Sequence, residues 1–196
     1  MFTGIVESIG NIKHIKQTGD TFTMAIEADD ILTDADIGDS ISVNGVCLTI
    51  TSLSPGYFTV DIMRETVKAT NLQSLVEGSS VNLERSMPAN GRFGGHFVSG
   101  HVDGTGKIVK KERQGNAVYY DIQTSAGITR YLIQKGSVAV DGTSLTVFAV
   151  TDRAFTISLI PHTLDATVLG QKQAGDIVNI ECDLVGKYIE KLLAER

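Results

Sequence analysis

A thiol and an imidazole are the side chains in this sequence best suited to chemistry on a bound molecule. Cys47 lies in the segment NGVCLT, and His101 lies in the segment VSGHVDG. A cysteine in a pocket can act as a nucleophile, and an imidazole can transfer a proton near neutral pH. Each also has a structural interpretation, because a buried cysteine often serves as a small apolar side chain and a lone histidine often only supports the fold. The residue types alone leave both interpretations open.

Metal and nucleotide chemistry are not indicated by the sequence. The 4 histidines and 2 cysteines show no spacing, with each other or with the acids, that fits a zinc site. Gly94-Gly95 lacks the pattern of a phosphate-binding loop. His14 is expected at the surface, and His96 is expected only to order the Gly-rich segment that it ends. We therefore predict no metal and no cofactor.

The sequence contains two copies of one module. Residues 38–72 align with residues 135–169, and residues 2–12 align with residues 98–108. The first alignment places Val43, Gly45, Leu48 and Thr49 on Val140, Gly142, Leu145 and Thr146. Two copies of one module predict two similar pockets, which suits a protein that handles two similar molecules.

The positions where the copies differ are the candidates for separate tasks. Cys47 aligns with Ser144, and Glu65 aligns with His162. His101 aligns with Ile5, so only one copy has a group there that titrates near neutral pH.

Short strands joined by turns are predicted for both copies. Residues 40–43, 57–62 and 118–122 alternate between apolar and polar side chains, which is typical of half-buried strands. Asn44-Gly45 and Asp141-Gly142 are dipeptides of tight hairpin turns. Several such strands in each copy favour a small closed barrel. One short helix is expected in each copy, at residues 68–73 and 165–170.

Three regions are predicted along the chain. Residues 85–95 carry the Pro and Gly residues of a linker, which sets the limits at 1–97 for the first domain and 98–184 for the second. Residues 185–196 have no counterpart in the first copy and form an apolar helical stripe of Val185, Tyr188, Ile189, Leu192 and Leu193. From the pattern alone, that stripe packs either on its own barrel or on another chain.

Composition excludes several classes of function. The formal net charge is -6, with 6 Lys and Arg against 12 Asp and Glu in residues 1–97, so no basic stripe is present to bind nucleic acid. No apolar run reaches the length of a membrane span, and the first residues lack the pattern of a signal peptide. Two cysteines do not make a disulfide framework. A cytoplasmic protein is expected.

The chain closely resembles the riboflavin synthases of the alpha-chain type. The resemblance rests on the segments MFTGIVE, NGVCLT, RETVKATNL, GGHFVSGHVDG, DGTSLTV and LIPHTLDAT, which occur in order from residue 1 to about residue 190. It implies an all-β fold of two similar six-stranded antiparallel Greek-key barrels with short helices, plus a C-terminal α-helix that holds a homotrimer together.

The resemblance also implies a reaction. In this family two molecules of 6,7-dimethyl-8-ribityllumazine exchange a four-carbon unit, and one becomes riboflavin while the other becomes 5-amino-6-ribitylamino-uracil. One substrate donates what the other accepts, so neither a redox cofactor nor a metal is implied. The productive pair of substrates forms between the N-terminal barrel of one subunit and the C-terminal barrel of the next.

The family's binding residues carry over by matching segments. For the first barrel they are Cys47, Leu48 and Thr49, the strand of Asp61, Ile62, Met63, Arg64, Glu65 and Thr66, and His101, Val102 and Asp103 from the domain junction. For the second barrel they are Ser144, Leu145 and Thr146, then Ser158, Leu159, Ile160, Pro161, His162 and Thr163, and finally Gly4, Ile5 and Val6 from the N-terminus, with Lys135 supplied across the subunit interface.

Five of the carried-over residues are candidates for catalysis. The resemblance implies that His101 transfers a proton and that Cys47 is a nucleophile or a polar contact at the other ring. Ser144 and Thr146 would orient the donor lumazine or a water molecule, and Asp183 matches a family acid near the site.

Two other functions are compatible with the same motifs. A non-catalytic antenna protein that binds a lumazine or flavin uses the same double barrel, although its motifs decay in one repeat, whereas both repeats are intact here. The acidic first half also leaves open an association with another enzyme of riboflavin biosynthesis.

Overall fold

The strands of this protein form two closed antiparallel barrels. The structure, a computed structural model, describes residues 1–28 and 31–194. The first barrel has the strand order β1-β2-β5-β4-β3-β6, and β6 closes it by pairing with β1. Its strands are β1 (Ser8–Thr18), β2 (Thr21–Glu27), β3 (Ser40–Val43), β4 (Val46–Ser54), β5 (Tyr57–Met63) and β6 (Ser80–Arg85).

The second barrel repeats this arrangement. Its strands are β7 (Gly104–Gln114), β8 (Ala117–Gln123), β9 (Ser137–Val140), β10 (Thr143–Val150), β11 (Ala154–Leu159) and β12 (Ile177–Cys182), in the closed order β10-β11-β8-β7-β12-β9. Register shifts also recur, between Ile12 and His14 in β1 and between Ile108 and Lys110 in β7. The prediction of two six-stranded Greek-key barrels is therefore confirmed.

Alternating side chains fill each barrel. In β5, Phe58, Val60 and Ile62 are at most 1% exposed, while Asp61 and Met63 between and beyond them face solvent. Burying an apolar side chain of this size contributes about 1.5–3 kcal/mol. Closing the barrel leaves no free strand edge along which another chain could pair.

The helices begin earlier than the sequence predicted. They are α1 (Arg64–Ala69), α2 (Ala126–Thr129), α3 (Pro161–Ala166) and α4 (Leu184–Ala194), and short 3-10 turns at Asn71–Ser74 and Val168–Gly170 follow α1 and α3. The predicted ranges 68–73 and 165–170 therefore span the break between helix and turn. In each copy the break comes where a threonine leaves helical geometry and its hydroxyl donates back into the helix, Thr70 to Thr66 and Thr167 to Thr163.

The two barrels meet where their tight turns touch. Asn44-Gly45 and Asp141-Gly142 have positive φ angles throughout, as the prediction of tight hairpin turns requires. A Cβ atom built on Gly45 would lie 2.6 Å from the backbone nitrogen of Gly142, and one built on Gly142 would lie 2.8 Å from that of Gly45. The two backbones therefore approach so closely that neither glycine position admits a side chain.

A buried polar network surrounds this contact with approximate twofold symmetry. The side-chain nitrogen of Asn82 donates to the Asp141 carbonyl at 2.8 Å, and that of Asn179 donates to the Asn44 carbonyl at 2.8 Å. Their side-chain oxygens accept from the backbone of the opposite barrel, at Val168 for Asn82 and at Asn71 for Asn179. Buried amides that are paired in this way fix the relative orientation of the barrels.

Asp141 departs from this symmetry because it carries a charge where the first copy has Asn44. Its side chain is 0% exposed, and one oxygen accepts from the Asn179 backbone and from the Asn71 side chain. The Lys172 ammonium lies 3.9 Å from the other oxygen. Burial raises the pKa of Asp141 to about 6, and the Lys172 charge and the hydrogen bonds oppose that rise only in part.

The C-terminal helix α4 presents an uncovered apolar face. Val185, Tyr188, Ile189, Leu192 and Leu193 are 52–66% exposed. Positions 195 and 196 of the predicted helix lie outside the described residues. Within residues 1–28 and 31–194, none of the helices combines the length and the apolar character that crossing a lipid bilayer demands.

We expect replacement of Asp141 by Asn to stabilise the protein at neutral pH. The pKa of Asp141 is higher in the folded state than the 3.8 of a free side chain, so its contribution to stability is complete below about pH 4 and is lost as the pH rises through about 6. The variant should therefore gain free energy of unfolding at pH 7.5, on the order of 3 kcal/mol at most, and this gain should shrink towards pH 4. Urea unfolding at several pH values measures it.

Asn44→Asp is the matched control for this experiment. It places a carboxylate at the mirror position, where Leu75 aligns with Lys172 and so supplies no counter-charge. We expect it to lose stability at pH 7.5 and to recover on acidification. The assignment of a raised pKa to Asp141 would be contradicted if Asp141→Asn gained no free energy of unfolding at pH 7.5, or if the gain stayed constant down to pH 4.

Candidate functional site

The segments that precede the two barrels are exchanged between them. The arm of the first repeat, residues 2–6, leads into β1 but contacts the second barrel, and the arm of the second repeat, residues 98–102, leads into β7 but contacts the first. The arms pair with each other where Phe2 and Val98 form an antiparallel bridge, and both side chains are 0% exposed. Each barrel is therefore contacted by an arm from the other repeat.

The first barrel has a cavity of about 340 Å³ at this junction. Cys47 on β4, Glu65 and Thr66 on α1, and His101 and Val102 on the exchanged arm line it, together with Val46, Ala69, Thr70 and Gly100. The resemblance implied that these five residues meet in one pocket, although they are up to 55 positions apart in the chain. The cavity therefore combines a thiol, a carboxylate, a hydroxyl and an imidazole.

Close backbone contact holds the arm against Cys47. The Cys47 backbone nitrogen donates to the Gly100 carbonyl at 2.9 Å. Gly100 has a φ of +81°, and a Cβ atom added to it would lie 2.4 Å from the Cys47 Cβ atom. Position 100 therefore requires glycine, both for its positive φ angle and for the lack of space for a side chain. This close contact brings the neighbouring His101 to the cavity that Cys47 lines.

Several predicted residues of the first pocket have side chains that point elsewhere. Leu48 and Ile62 are packed in the barrel core, so only their backbone groups are available to a ligand. Thr49 and Asp61 are exposed on strands, and the Asp61 carboxylate accepts from Thr23 at 2.6 Å. Met63 is 60% exposed.

The expectation of a continuous strand from residue 61 to residue 66 is wrong. Strand β5 ends at Met63, and Arg64 begins α1. The change of direction brings Glu65 and Thr66 onto the cavity, while the Arg64 guanidinium pairs with Asp20 at 3.1 Å. Asp103 follows the arm, accepts from the Cys182 backbone at 2.8 Å and pairs with Lys187 at 2.6 Å.

The same backbone pattern recurs at the second barrel with different side chains. The Ser144 backbone nitrogen donates to the Gly4 carbonyl at 2.7 Å, and Gly4 has a φ of +77°. Ile5 follows Gly4 and is 48% exposed, where the first pocket has His101. Val6 is partly buried. The structure therefore repeats the same contact between arm and hairpin at both barrels, beside different reactive groups.

The other residues predicted for the second pocket lie on several different elements. Leu159 is buried in the core of the second barrel, and Leu145 packs against that core. Thr146, Ile160, Pro161 and His162 are exposed, and Ser158 and Thr163 are partly buried. Lys135 is exposed with a φ of +67°, and Asp183 accepts from the Val185 backbone at 3.0 Å at the start of α4.

His96 is a neighbour of Ser144 that the sequence prediction missed. Its Nδ1 atom lies 2.7 Å from the Ser144 hydroxyl, and its Nε2 atom is buried without a partner among the described residues. Burial lowers the pKa of His96, although the charges of Asp183 and Glu181 oppose that effect. From the sequence we expect His96 only to order the linker, because the alignment of the repeats offers no counterpart for it.

The second cysteine does not contribute a nucleophile. Cys182 is 0% exposed and belongs to the core of the second barrel. Burial raises the pKa of its thiol to about 12, with the Asp103 charge adding to the effect. Cys47, which is partly exposed in the cavity, is therefore the thiol available to a ligand.

Comparison with known proteins identifies the repeated module. The model of the lumazine binding domain matches this chain twice, at residues 3–86 and 99–183. A crystal structure of LumP complexed with 6,7-dimethyl-8-(1'-D-ribityl) lumazine superimposes with a TM-score of 0.84 and 25% sequence identity, covering 93% of this chain and 99% of that one.

Full-length relatives are much more similar in sequence. The riboflavin synthase of Bacillus amyloliquefaciens is 55% identical over 193 residues, covering 98% of this chain and 90% of the relative. That of Actinobacillus pleuropneumoniae is 52% identical over 196 residues, covering 100% and 91%. Two matched domains, their barrel fold and this level of identity together show that the chain belongs to the riboflavin synthase family.

Proposed function

We propose that this protein makes riboflavin by dismutation of two molecules of 6,7-dimethyl-8-ribityllumazine, with 5-amino-6-ribitylamino-uracil as the second product. The observation that carries the proposal is the pair of equivalent sites with unequal chemistry. One offers Cys47 and His101, and the other offers Ser144 with His96. Two identical substrates that must play opposite parts require such a pair.

The energetic advantage of this design is proximity. Holding two substrates face to face replaces a bimolecular encounter with an intramolecular step, which contributes about 7–11 kcal/mol when the geometry is good. The four-carbon unit leaves one lumazine and joins the other, so the atoms of the two substrates equal those of the two products. No external oxidant or reductant enters this balance, and no metal or cofactor is part of the proposal.

Binding is assigned to backbone and side-chain groups around the two sites. Strand backbone groups near Leu48, Ile62, Leu145 and Leu159 suit the fixed donors and acceptors of the pyrimidine edge, since the side chains there point into the cores. Hydroxyl, carboxylate and imidazole groups suit the ribityl hydroxyls. They are supplied by Thr66 and Glu65 in the first pocket and by Thr163 and His162 at the second.

Catalytic roles follow the chemistry of each site. His101 would remove a proton from the C7 methyl group, and Cys47 would attack or polarise C7 of the second ring. Ser144 and Thr146 would orient the donor lumazine, and Asp183 would act as a nearby acid. The cavity that Cys47 and His101 both line supports a role for each at the first barrel, and the contact of Ser144 with His96 supports a role for Ser144 at the second.

We also propose that the protein works as a homotrimer held by α4. The apolar stripe of this helix is exposed, and burying five such side chains against neighbouring chains would stabilise an assembly. The trimer would bring the first barrel of one subunit against the second barrel of the next, where Lys135 completes the site. Domain limits of 1–97, 98–184 and 185–196 complete this proposal.

The cellular setting is proposed on chemical grounds. Both cysteines are free thiols, which suits the reducing cytoplasm. The acidic first repeat disfavours a nucleic-acid partner and leaves open an association with another enzyme of riboflavin biosynthesis.

A non-catalytic antenna protein is the competing function. The LumP structure shares the fold and holds the lumazine, which favours ligand binding by this fold. Its identity to this chain is 25%, however, against 52–55% for riboflavin synthases. The enzyme is therefore the better-supported function.

The stoichiometry of the reaction tests the proposal directly. Purified protein is mixed with 6,7-dimethyl-8-ribityllumazine without metal, nucleotide or nicotinamide, and both compounds are followed by absorbance. We expect riboflavin to appear at half the rate of lumazine loss, because two substrates yield one flavin. Tight binding of lumazine without riboflavin formation would instead assign the protein to the antenna class.

Replacing His101 by Gln should separate binding from turnover. Glutamine keeps hydrogen-bonding groups but cannot transfer a proton near neutral pH, so kcat should fall about 10²–10⁴-fold while lumazine affinity stays near normal. His14→Gln is the control, since that side chain is 68% exposed on β1. Unchanged turnover in His101→Gln would refute the role of His101 as the base.

Disrupting the stripe of α4 should dissociate the trimer and abolish turnover together. Leu192→Glu places a charge at a position 66% exposed in the single chain, and Val76→Glu does the same at a control position 65% exposed on the first barrel. Light scattering should give three times the 21.0 kDa chain mass for the parent and the control, and a smaller mass for Leu192→Glu. A Leu192→Glu protein that remains trimeric would contradict the proposed role of α4.

A further inference from the structure

The arm that carries His101 is held by one buried carboxylate. Glu181 on β12 is 3% exposed. One of its oxygens accepts from the Ser99 backbone at 2.6 Å and from the Ser99 hydroxyl at 2.7 Å, and the other accepts from the Gly100 backbone at 2.9 Å. Three donors that converge on one carboxylate make a strong anchor, because hydrogen bonds to a charged acceptor are about twice as strong as neutral ones.

This anchor is directly connected to the cavity of the first barrel. The peptide that donates to Glu181 belongs to Gly100, and the carbonyl of Gly100 accepts from the Cys47 backbone. The Ser99 hydroxyl is also 3.3 Å from the backbone nitrogen of His101. Glu181 is therefore connected to His101 through the adjacent residue Gly100 and to the strand that carries Cys47 through two successive hydrogen bonds, while it does not line the cavity of the first barrel.

The first repeat contains the mirror image of this anchor. Glu84 on β6 is 4% exposed and accepts from the Thr3 backbone, the Thr3 hydroxyl and the Gly4 backbone. The arm that it holds leads to Ile5 rather than to a histidine. The two glutamates thus make the same contacts, and they differ in what their arms deliver.

We propose that Glu181 is a positioning residue for the proposed reaction and acts by fixing His101 beside Cys47. This inference rests on the catalytic role proposed for His101. A displacement of about 1 Å in a reacting group can lower a rate by about 10²-fold. Proton transfer by His101 therefore depends on an arm that is held in place by three hydrogen bonds. A glutamine at this position keeps one acceptor oxygen but turns an NH₂ group towards backbone donors, which releases the arm.

A double-mutant cycle with His101 tests this role. We expect Glu181→Gln to lower kcat about 10–100-fold in the parent protein with KM changed less than about threefold. In the His101→Gln background the same substitution should change kcat less than about twofold, because the group that it positions is already absent. Loss of kcat by the same factor in both backgrounds would overturn the proposal, as would an unchanged kcat.

Glu84→Gln is the matched control in the same cycle. It removes an equivalent anchor and should lower the unfolding temperature about as much as Glu181→Gln does. Glu84→Gln should change kcat by the same factor in the parent protein and in the His101→Gln background, because the arm that Glu84 holds carries Ile5 and not His101. Equal coupling of Glu84 and Glu181 to His101 would show a general effect of arm loosening and overturn the specific role.

Two further measurements keep the outcome decisive. If Glu181→Gln does not fold, Ser99→Ala replaces it and Thr3→Val replaces the control, because each removes only the hydroxyl from its anchor. Hydrogen exchange of the Gly100 and His101 amides reports the arm without activity, and it should accelerate in Glu181→Gln but not in Glu84→Gln. A parent protein that forms no riboflavin would refute the proposed function, whereas an active parent with unchanged exchange in Glu181→Gln would refute only this inference.

Discussion

The close approach of the turns at Gly45 and Gly142 is the constraint on which the rest of this structure depends. Only two residues without side chains allow the backbones to meet at this distance. That contact brings the hairpins β3–β4 and β9–β10 to the domain junction, and Cys47 and Ser144 follow directly on these turns. The network of Asn82 and Asn179 then fixes the angle between the barrels. Without the turn contact, neither arm would reach the opposite barrel.

Exchange of the arms explains how one duplicated module supports two unlike sites. Each arm leaves its own barrel beside the last strand, where a glutamate holds it, and ends against the hairpin of the other repeat. The backbone geometry is therefore nearly identical at both sites, while the side chains were free to diverge. Cys47 with His101 and Ser144 with His96 are the result, and the difference suits a reaction in which identical substrates take opposite parts.

The symmetry of the junction is broken in a second way at Asp141. A carboxylate buried at the centre of an interface is unfavourable unless hydrogen bonds and a counter-charge accompany it. Here Asn71, Asn179 and Lys172 offset that cost only in part, and Lys172 occupies the position of Leu75 in the first repeat. The replacement of Asn by Asp and that of Leu by Lys thus belong together physically, although they lie 31 positions apart in the chain.

The sequence by itself determined the repeat, the barrels and the chemical types at the sites. Alternation along strands such as β5 and the Asn-Gly and Asp-Gly turns are local signals, and local signals fix strands, hairpins and the residues that face a core. The short helices were placed about four residues late, because the end of α1 depends on where β5 leaves its barrel and on the hydroxyl of Thr70. Residue types at aligned positions also identified Cys47, Ser144 and His101 as the sites of divergence.

Only the tertiary structure decided how the groups of the sites are held in place. The anchoring of His101 through Glu181 and the contact of His96 with Ser144 join residues between 48 and 82 positions apart. No local pattern encodes such contacts, since they arise when two folded barrels dock and the chain between them takes the path that satisfies buried polar groups. The residue types therefore indicated the chemical groups of the site, and the docking of the two repeats determined its geometry.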